Sequence, residues 1–170
     1  MTVRAVFDCM VFLQGTAREQ SPAGVCLKLV ETGQVVLCLS SDVVEEIREV
    51  LSRPKLRKSF PSLTPQRVDA ALSSLQSRAL IPADVPRVYS YPRDPDDEPY
   101  VNLAIAADAS YLVSRDRDLL DLMSCSDFRQ RFPNLIVLEP VAFLHELGAK
   151  QQVEQSTQES QTPQAGSGTS

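Results

Sequence analysis

The carboxylates of this chain are spaced for chemistry. Arg93-Asp94-Pro95-Asp96-Asp97-Glu98-Pro99 opens an apolar run that continues to Val113 and closes on Ser114-Arg115-Asp116-Arg117-Asp118. Acids therefore stand at both ends of a segment apolar enough to be buried. Charge at that density beside a core is costly unless something positive offsets it. The single histidine, His145, lies near the end of the last helical pattern. One histidine cannot build a His-rich metal site, and it leaves no Ser-His-Asp or Cys-His pair near a nucleophile. With oxygen donors alone, a hard divalent cation, Mg²⁺ or Mn²⁺, is the counter-charge that fits. Such an ion can activate water for in-line attack and neutralise the leaving oxygen, which is the chemistry of phosphodiester hydrolysis.

The elements that must position these acids can be read from hydrophobic periodicity. Residues 3–7 form a short strand-like run ending at Asp8, and Val11-Phe12-Leu13 continues apolar before Gln14-Gly15-Thr16 breaks the pattern. Ser21-Pro22 starts a helix that Gly33 is placed to end. Val35-Val36-Leu37-Cys38-Leu39 is a continuous apolar run of the kind found in a parallel strand covered on both faces. Ser40-Ser41-Asp42 caps a helix over 43–51. At about 100° per residue its apolar side chains share an arc of roughly 120°, with Glu46 on the shoulder of that arc and Glu45 and Glu49 out in solvent. Thr64-Pro65 opens an amphipathic helix, Val88-Tyr89 is a short extended piece, and a helix apolar nearly all round runs from Pro99 to about Asp108. Strands at 111–113 and 135–138 follow, with a short helix and a loop between them, and the last helix covers 140–147.

Alternating strands and helices predict a three-layer α/β/α domain with a mainly parallel sheet. Sites in such sheets lie beyond the carboxyl ends of the strands. Asp8 and Asp116 follow strands, Asp97 precedes a helix N-terminus, and Glu46 sits in the first turns of a helix leaving the same edge. All four are expected on one rim. Each also has a structural role open to it alone: a turn for Asp8, a helix boundary for Glu46, a helix cap for Asp96 or Asp97, and pairing with Arg115 and Arg117 for Asp116 and Asp118. The joint pattern is what argues for a site.

The chain has 170 residues, enough for one domain and some excess, and 43% of them are hydrophobic. The net charge of −5 argues against broad non-specific nucleic-acid binding. Local basic tracks remain at Arg53, Lys55, Arg57 and Lys58, and more weakly at Arg129 and Arg131. The four cysteines, Cys9, Cys26, Cys38 and Cys125, lie far apart, as expected for free thiols in a reducing cytoplasm. No run is long enough to span a bilayer, and the start lacks the pattern of a signal peptide. From Gly148 the composition turns to Gln, Ser, Thr, Gly and Glu, so the expected organisation is a domain over 1–147 and a disordered polar tail over 148–170.

Taken in order, Val6-Phe7-Asp8, Glu46-Ile47-Arg48-Glu49-Val50-Leu51, Arg93-Asp94-Pro95-Asp96-Asp97, Tyr111-Leu112-Val113-Ser114-Arg115-Asp116 and Pro140-Val141-Ala142-Phe143-Leu144 resemble the PIN-domain family, more narrowly its toxin components of toxin–antitoxin systems. The resemblance covers about residues 3–147. It implies a metal-dependent ribonuclease whose acidic quartet is Asp8, Glu46, Asp97 and Asp116, with Asp118 as an accessory acid. Asp97 is preferred to its neighbours Asp96 and Glu98 for its offset from the helix and from Asp116. Asp8, Asp97 and Asp116 would hold the metal, and Glu46 would complete the shell or orient the attacking water. Arg53, Lys55, Arg57 and Lys58, with Arg115 and Arg117, would guide an RNA backbone. The resemblance further implies a small homodimer and an antitoxin protein as partners. The chain departs from the family pattern at Cys9 and Met10, where a small polar residue and then Asn or Ser usually follow the first acid. That departure takes polar support away from metal and substrate.

Two other classes fit parts of the pattern. A binding module would keep the fold and associate with RNA or a protein without cleavage. A receiver-like or phosphotransfer domain also places an acid after its first strand, but a dehalogenase-type phosphatase needs a second aspartate where Met10 stands.

Overall fold

The computed structural model describes residues 2–160. Its strands are β1 (Val3–Phe7), β2 (Val35–Leu37), β3 (Tyr111–Val113) and β4 (Ile136–Leu138). Its helices are α1 (Cys9–Ala17), α2 (Pro22–Glu31), α3 (Ser41–Ser52), α4 (Pro54–Ser59), α5 (Pro65–Gln76), α6 (Glu98–Ala106), α7 (Arg117–Leu120), α8 (Ser126–Arg131) and α9 (Pro140–Ser160). The four strands pair in parallel in the order β2-β1-β3-β4. Helices flank this sheet in the three-layer α/β/α arrangement that the alternating pattern predicts.

The order has a functional consequence. The chain leaves β1 for β2 on one side and later returns to β3 on the other, so direction reverses between β1 and β3. A crevice opens beyond the carboxyl ends of strands at such a point. Phe7 pairs with Val113, so β1 and β3 end in step. The residues that follow, Asp8 and Ser114, are thereby brought side by side.

The capping residues read from the sequence act as caps. Ser21, Ser40 and Thr64 each accept a backbone N–H from the first turn of the helix they precede. Gly33 adopts a left-handed φ of 79° just past α2, a conformation that a side chain disfavours. The helix α1 differs from the sequence reading, which found only an apolar run there. Cys9, Val11, Phe12, Leu13, Gly15 and Thr16 of α1 are all buried, so no polar face marks its period. A Cβ on Gly15 of α1 would lie 2.9 Å from the Ala23 carbonyl oxygen of α2, which is why the two helices can pack so closely.

Val88-Tyr89 is not a strand. The segment is tied to α6 by Asn102, whose side chain accepts from the N–H of Val88 at 2.9 Å and of Tyr89 at 2.8 Å and donates to the Tyr89 and Glu98 carbonyls. Glu98 adds a two-pronged pair with Arg87 and accepts the Tyr91 N–H at 2.7 Å. Asn102 is buried, so Asn102→Ala leaves several backbone groups unpaired. The expected loss is about 2–3 kcal/mol of unfolding free energy, read from the urea midpoint, and faster amide exchange at Val88 and Tyr89. An unchanged midpoint would mean that the segment needs no such tie.

The last helix continues to Ser160, past the point where composition alone reads as disorder. Ala, Lys, Gln and Glu are good helix formers, and an already nucleated helix extends through them without needing a core. Residues 161–170 of the expected tail lie outside the described residues. The core is continuous and aromatic beneath the last helix: Phe143 packs edge-on against Phe7 and Tyr111, with ring centroids 5.9 and 5.2 Å apart.

Candidate metal centre

Asp8 is held from three sides. Its N–H bonds the Val113 carbonyl at 3.1 Å, continuing the ladder past the end of β1. Its Oδ1 accepts the Val11 N–H at 2.9 Å and so caps α1. Its Oδ2 accepts the hydroxyl of Ser114, which is fully buried. The same hydroxyl oxygen accepts the Asp116 N–H at 2.9 Å, and Asp116 Oδ1 accepts the Asp118 N–H at 2.8 Å to cap α7. A relay of hydrogen bonds thus links the end of β1 to the loop after β3. Burial pushes the Asp8 carboxyl above its ordinary range, against the pull of Ser114 and Val11.

Asp97 closes the short 3-10 turn Pro95–Asp97 that leads into α6. Its neighbours Asp96 and Glu98 take other places. Asp96 is exposed, and Glu98 is engaged by Arg87 and the Tyr91 N–H. Asp97 is buried, and its Oδ2 has no hydrogen-bond partner among the described residues. Desolvation first, then the negative charges of Asp116, Asp94, Asp118 and Asp8, raise its pKa to about 7. Oxygens of Asp94, Asp97 and Asp116 lie within 4.8 Å of one another, roughly the span of two metal–oxygen bonds.

Glu46 is half-buried on α3, while Glu45 and Glu49 are exposed, as the helical wheel predicts. Its carboxyl is raised foremost by burial, and Tyr100, Asp96 and Arg53 are among the groups that act on it. The buried Tyr100 hydroxyl faces Glu46 without closing a well-formed hydrogen bond. Cys9 lies in the same corner. Burial, then Asp8 and Glu46, push its thiol up to about 12, so it stays neutral there and offers no thiolate. Ser114 supplies polar support that Cys9 and Met10 do not.

The accessory acid and the basic residues are placed as follows. The carboxylate of Asp118 pairs with Arg93 at 2.7 Å rather than standing free at the rim. Arg53 pairs with Glu49 at 3.5 Å and is close enough to act on Glu46 and Cys9, which puts it beside the acids. Arg57 lines a shallow cleft with Arg48, Leu63 and Asp69 instead. Lys55, Lys58, Arg115 and Arg117 are exposed.

Sequence reasoning missed Ser114, Tyr100 and the part played by Asp94. Ser114 carried a signal, as a polar residue ending a fully apolar strand two positions before an acid. A cavity of about 690 Å³ between α1, α2 and α5 is lined by none of these acids. The chemistry of the acids, not the size of the cavity, marks the site.

The donor set fits a divalent cation. It is all oxygen, it contains a buried carboxylate oxygen with no partner, and its members raise one another's affinity for a proton where a cation would lower it. The family model described as PIN domain matches residues 4–118, a span that contains all four acids of the expected quartet. Among curated proteins none matches the chain.

Proposed function

The chain belongs to the PIN-domain family, whose members are in general nucleases that use divalent metal ions, and on that premise we propose that it is a Mg²⁺- or Mn²⁺-dependent endoribonuclease. The observation that carries this reading is the buried Asp97 carboxylate, with Oδ2 unpartnered among the described residues and an oxygen within 4.8 Å of oxygens of Asp94 and Asp116. Asp8, Asp97 and Asp116 hold the ion, and Glu46 orients the attacking water from the half-buried edge of α3. A bound divalent ion supplies Lewis-acid activation of water and offsets charge on the leaving oxygen. Ser114 fixes the direction of Asp8 and Asp116 relative to each other. Arg53, Lys55, Arg57 and Lys58, with Arg115 and Arg117, attract the phosphate backbone, so affinity falls with added salt. The domain spans residues 1–147, with the polar segment 148–170 appended to it. A toxin of a toxin–antitoxin pair, working in the cytoplasm as a homodimer with an antitoxin partner, is the setting this reading favours. No helix among the described residues is long and apolar enough to cross a membrane.

The test is cleavage of a mixed set of structured and single-stranded RNAs with Mn²⁺, with Mg²⁺ and with EDTA, alongside Asp116→Asn. The expected result is cleavage that requires metal and is lost in the variant. RNA binding that survives EDTA without any cleavage would move the assignment to a binding module.

A further inference from the structure

Two aspartates compete for a place beside Asp97 and Asp116, and the structure treats them differently. Asp118 is the acid that the family pattern offers. Its Oδ1 lies 2.7 Å from Arg93 Nε, and the same guanidinium reaches Asp121 at 2.9 Å through Nη2. Tyr91 donates its hydroxyl to the Asp118 carbonyl at 2.9 Å. Asp118 is thus paired and tied to the segment before Asp94. Asp94 itself is half-buried and is in no ion pair among the described residues. Its Oδ1 accepts the Asp96 N–H at 3.1 Å, which shapes the 3-10 turn and directs the carboxylate toward Asp97 and Asp116. An acid cluster alone is no site, since exposed acids often stand together. The second observation is the Asp97 side chain, 7% exposed and with Oδ2 unpartnered among the described residues. A buried polar atom in a folded protein normally has a partner, and its absence points to an external ligand.

We propose that Asp94 binds the divalent ion directly with Asp97 and Asp116, in the place the family pattern gives to Asp118, and that Arg93 sets this choice by holding Asp118 aside. The inference rests on the reading of the site as a metal centre. It adds a ligand that opens the 3-10 turn three residues before Asp97, so that one short turn presents two carboxylates to one ion. Removing a group that touches or orders a metal shell typically costs tenfold to a hundredfold in affinity.

The experiment is titration of the full chain with Mn²⁺, followed by calorimetry and by the loss of the free-ion signal in electron paramagnetic resonance. Wild type, Asp94→Asn and Asp118→Asn are compared. Asparagine keeps the oxygen that accepts the Asp96 N–H, so the turn is retained. Asp94→Ser, another capping residue, is the second variant. The expected order is a loss of at least about tenfold for both Asp94 variants and of at most about threefold for Asp118→Asn, the scale of an exposed ion pair. Wild-type affinity in Asp94→Asn, or a larger loss in Asp118→Asn than in either Asp94 variant, overturns the assignment of Asp94. Wild type that binds no Mn²⁺ at all overturns the metal-centre reading and this inference with it.

Discussion

Replacing Asp97 by asparagine is expected to lower metal-dependent cleavage about a thousandfold and, in the same protein, to raise the melting temperature measured in EDTA above pH 7. The first effect follows from the charge the site must hold. A metal ion at a phosphoryl centre supplies several kcal/mol of charge stabilisation, and each 1.4 kcal/mol or so is tenfold in rate. The second effect has the opposite sign because Asp97 is costly when no cation is present. Its pKa is about 7 in the folded chain against an ordinary 3.8. Between those values the folded chain carries a proton that the unfolded chain lacks, so stability falls as pH rises through this window and the full penalty stands above pH 7. Asparagine does not ionise and escapes it. Asp8 and Glu46 shift in the same direction and remain in the variant, so wild type and variant must be compared at each pH rather than either alone. Below about pH 4 the two should melt close together, the variant should already melt higher at pH 5.5, and the gap should reach its full size by pH 8.5. Added Mn²⁺ should reverse the order by stabilising wild type alone. A variant that melts lower than wild type in EDTA at pH 8.5 would show that the cluster is not strained by its own charge. Function held at the expense of stability is the expected signature of a site built for a ligand.

How much of this was legible in the chain depended on whether the signal was local. The strands were legible because parallel strands buried on both faces are continuous apolar runs, as in Tyr111-Leu112-Val113. The caps were legible because Ser21, Ser40 and Thr64 act within one turn. Helix α1 was not, since a helix buried on nearly every side loses the polar face that reveals its period. The reach of α9 to Ser160 was not legible either, because its composition lacks a core-facing stripe while its backbone propensity still favours helix. The candidate acids followed from topology, because an acid after a buried strand has few places to go. Their partners were another matter. Arg115 and Arg117 adjoin Asp116 and Asp118 in sequence, yet the guanidinium that holds Asp118 is Arg93, which arrives from the other side of α6 and β3. Adjacency along the chain is no guide to pairing when a helix and a strand intervene.

The same limit hid Ser114, and its removal is the sharpest test of how the acids are held together. Ser114 and Asp8 meet only because β1 and β3 pair in the register Phe7 to Val113, a fact no single segment contains. One hydroxyl serves two acids there, donating to Asp8 Oδ2 and accepting the Asp116 N–H. Ser114→Ala leaves a buried carboxylate with one partner fewer and a backbone N–H with none. The expected cost is about 2–3 kcal/mol in unfolding free energy, and cleavage should fall more than tenfold as Asp8 and Asp116 lose their common reference. A general loss of packing would give the first result without explaining the second, so the decisive measurement is a double-mutant cycle with Asp8→Asn. If the hydroxyl acts through Asp8, the combined variant loses less stability than the sum of the two, by about 0.5–3 kcal/mol. Strict additivity would mean that the two side chains touch without depending on each other. Asp8 would then be positioned by the α1 cap alone, and the site would be two separate loops that happen to share a rim.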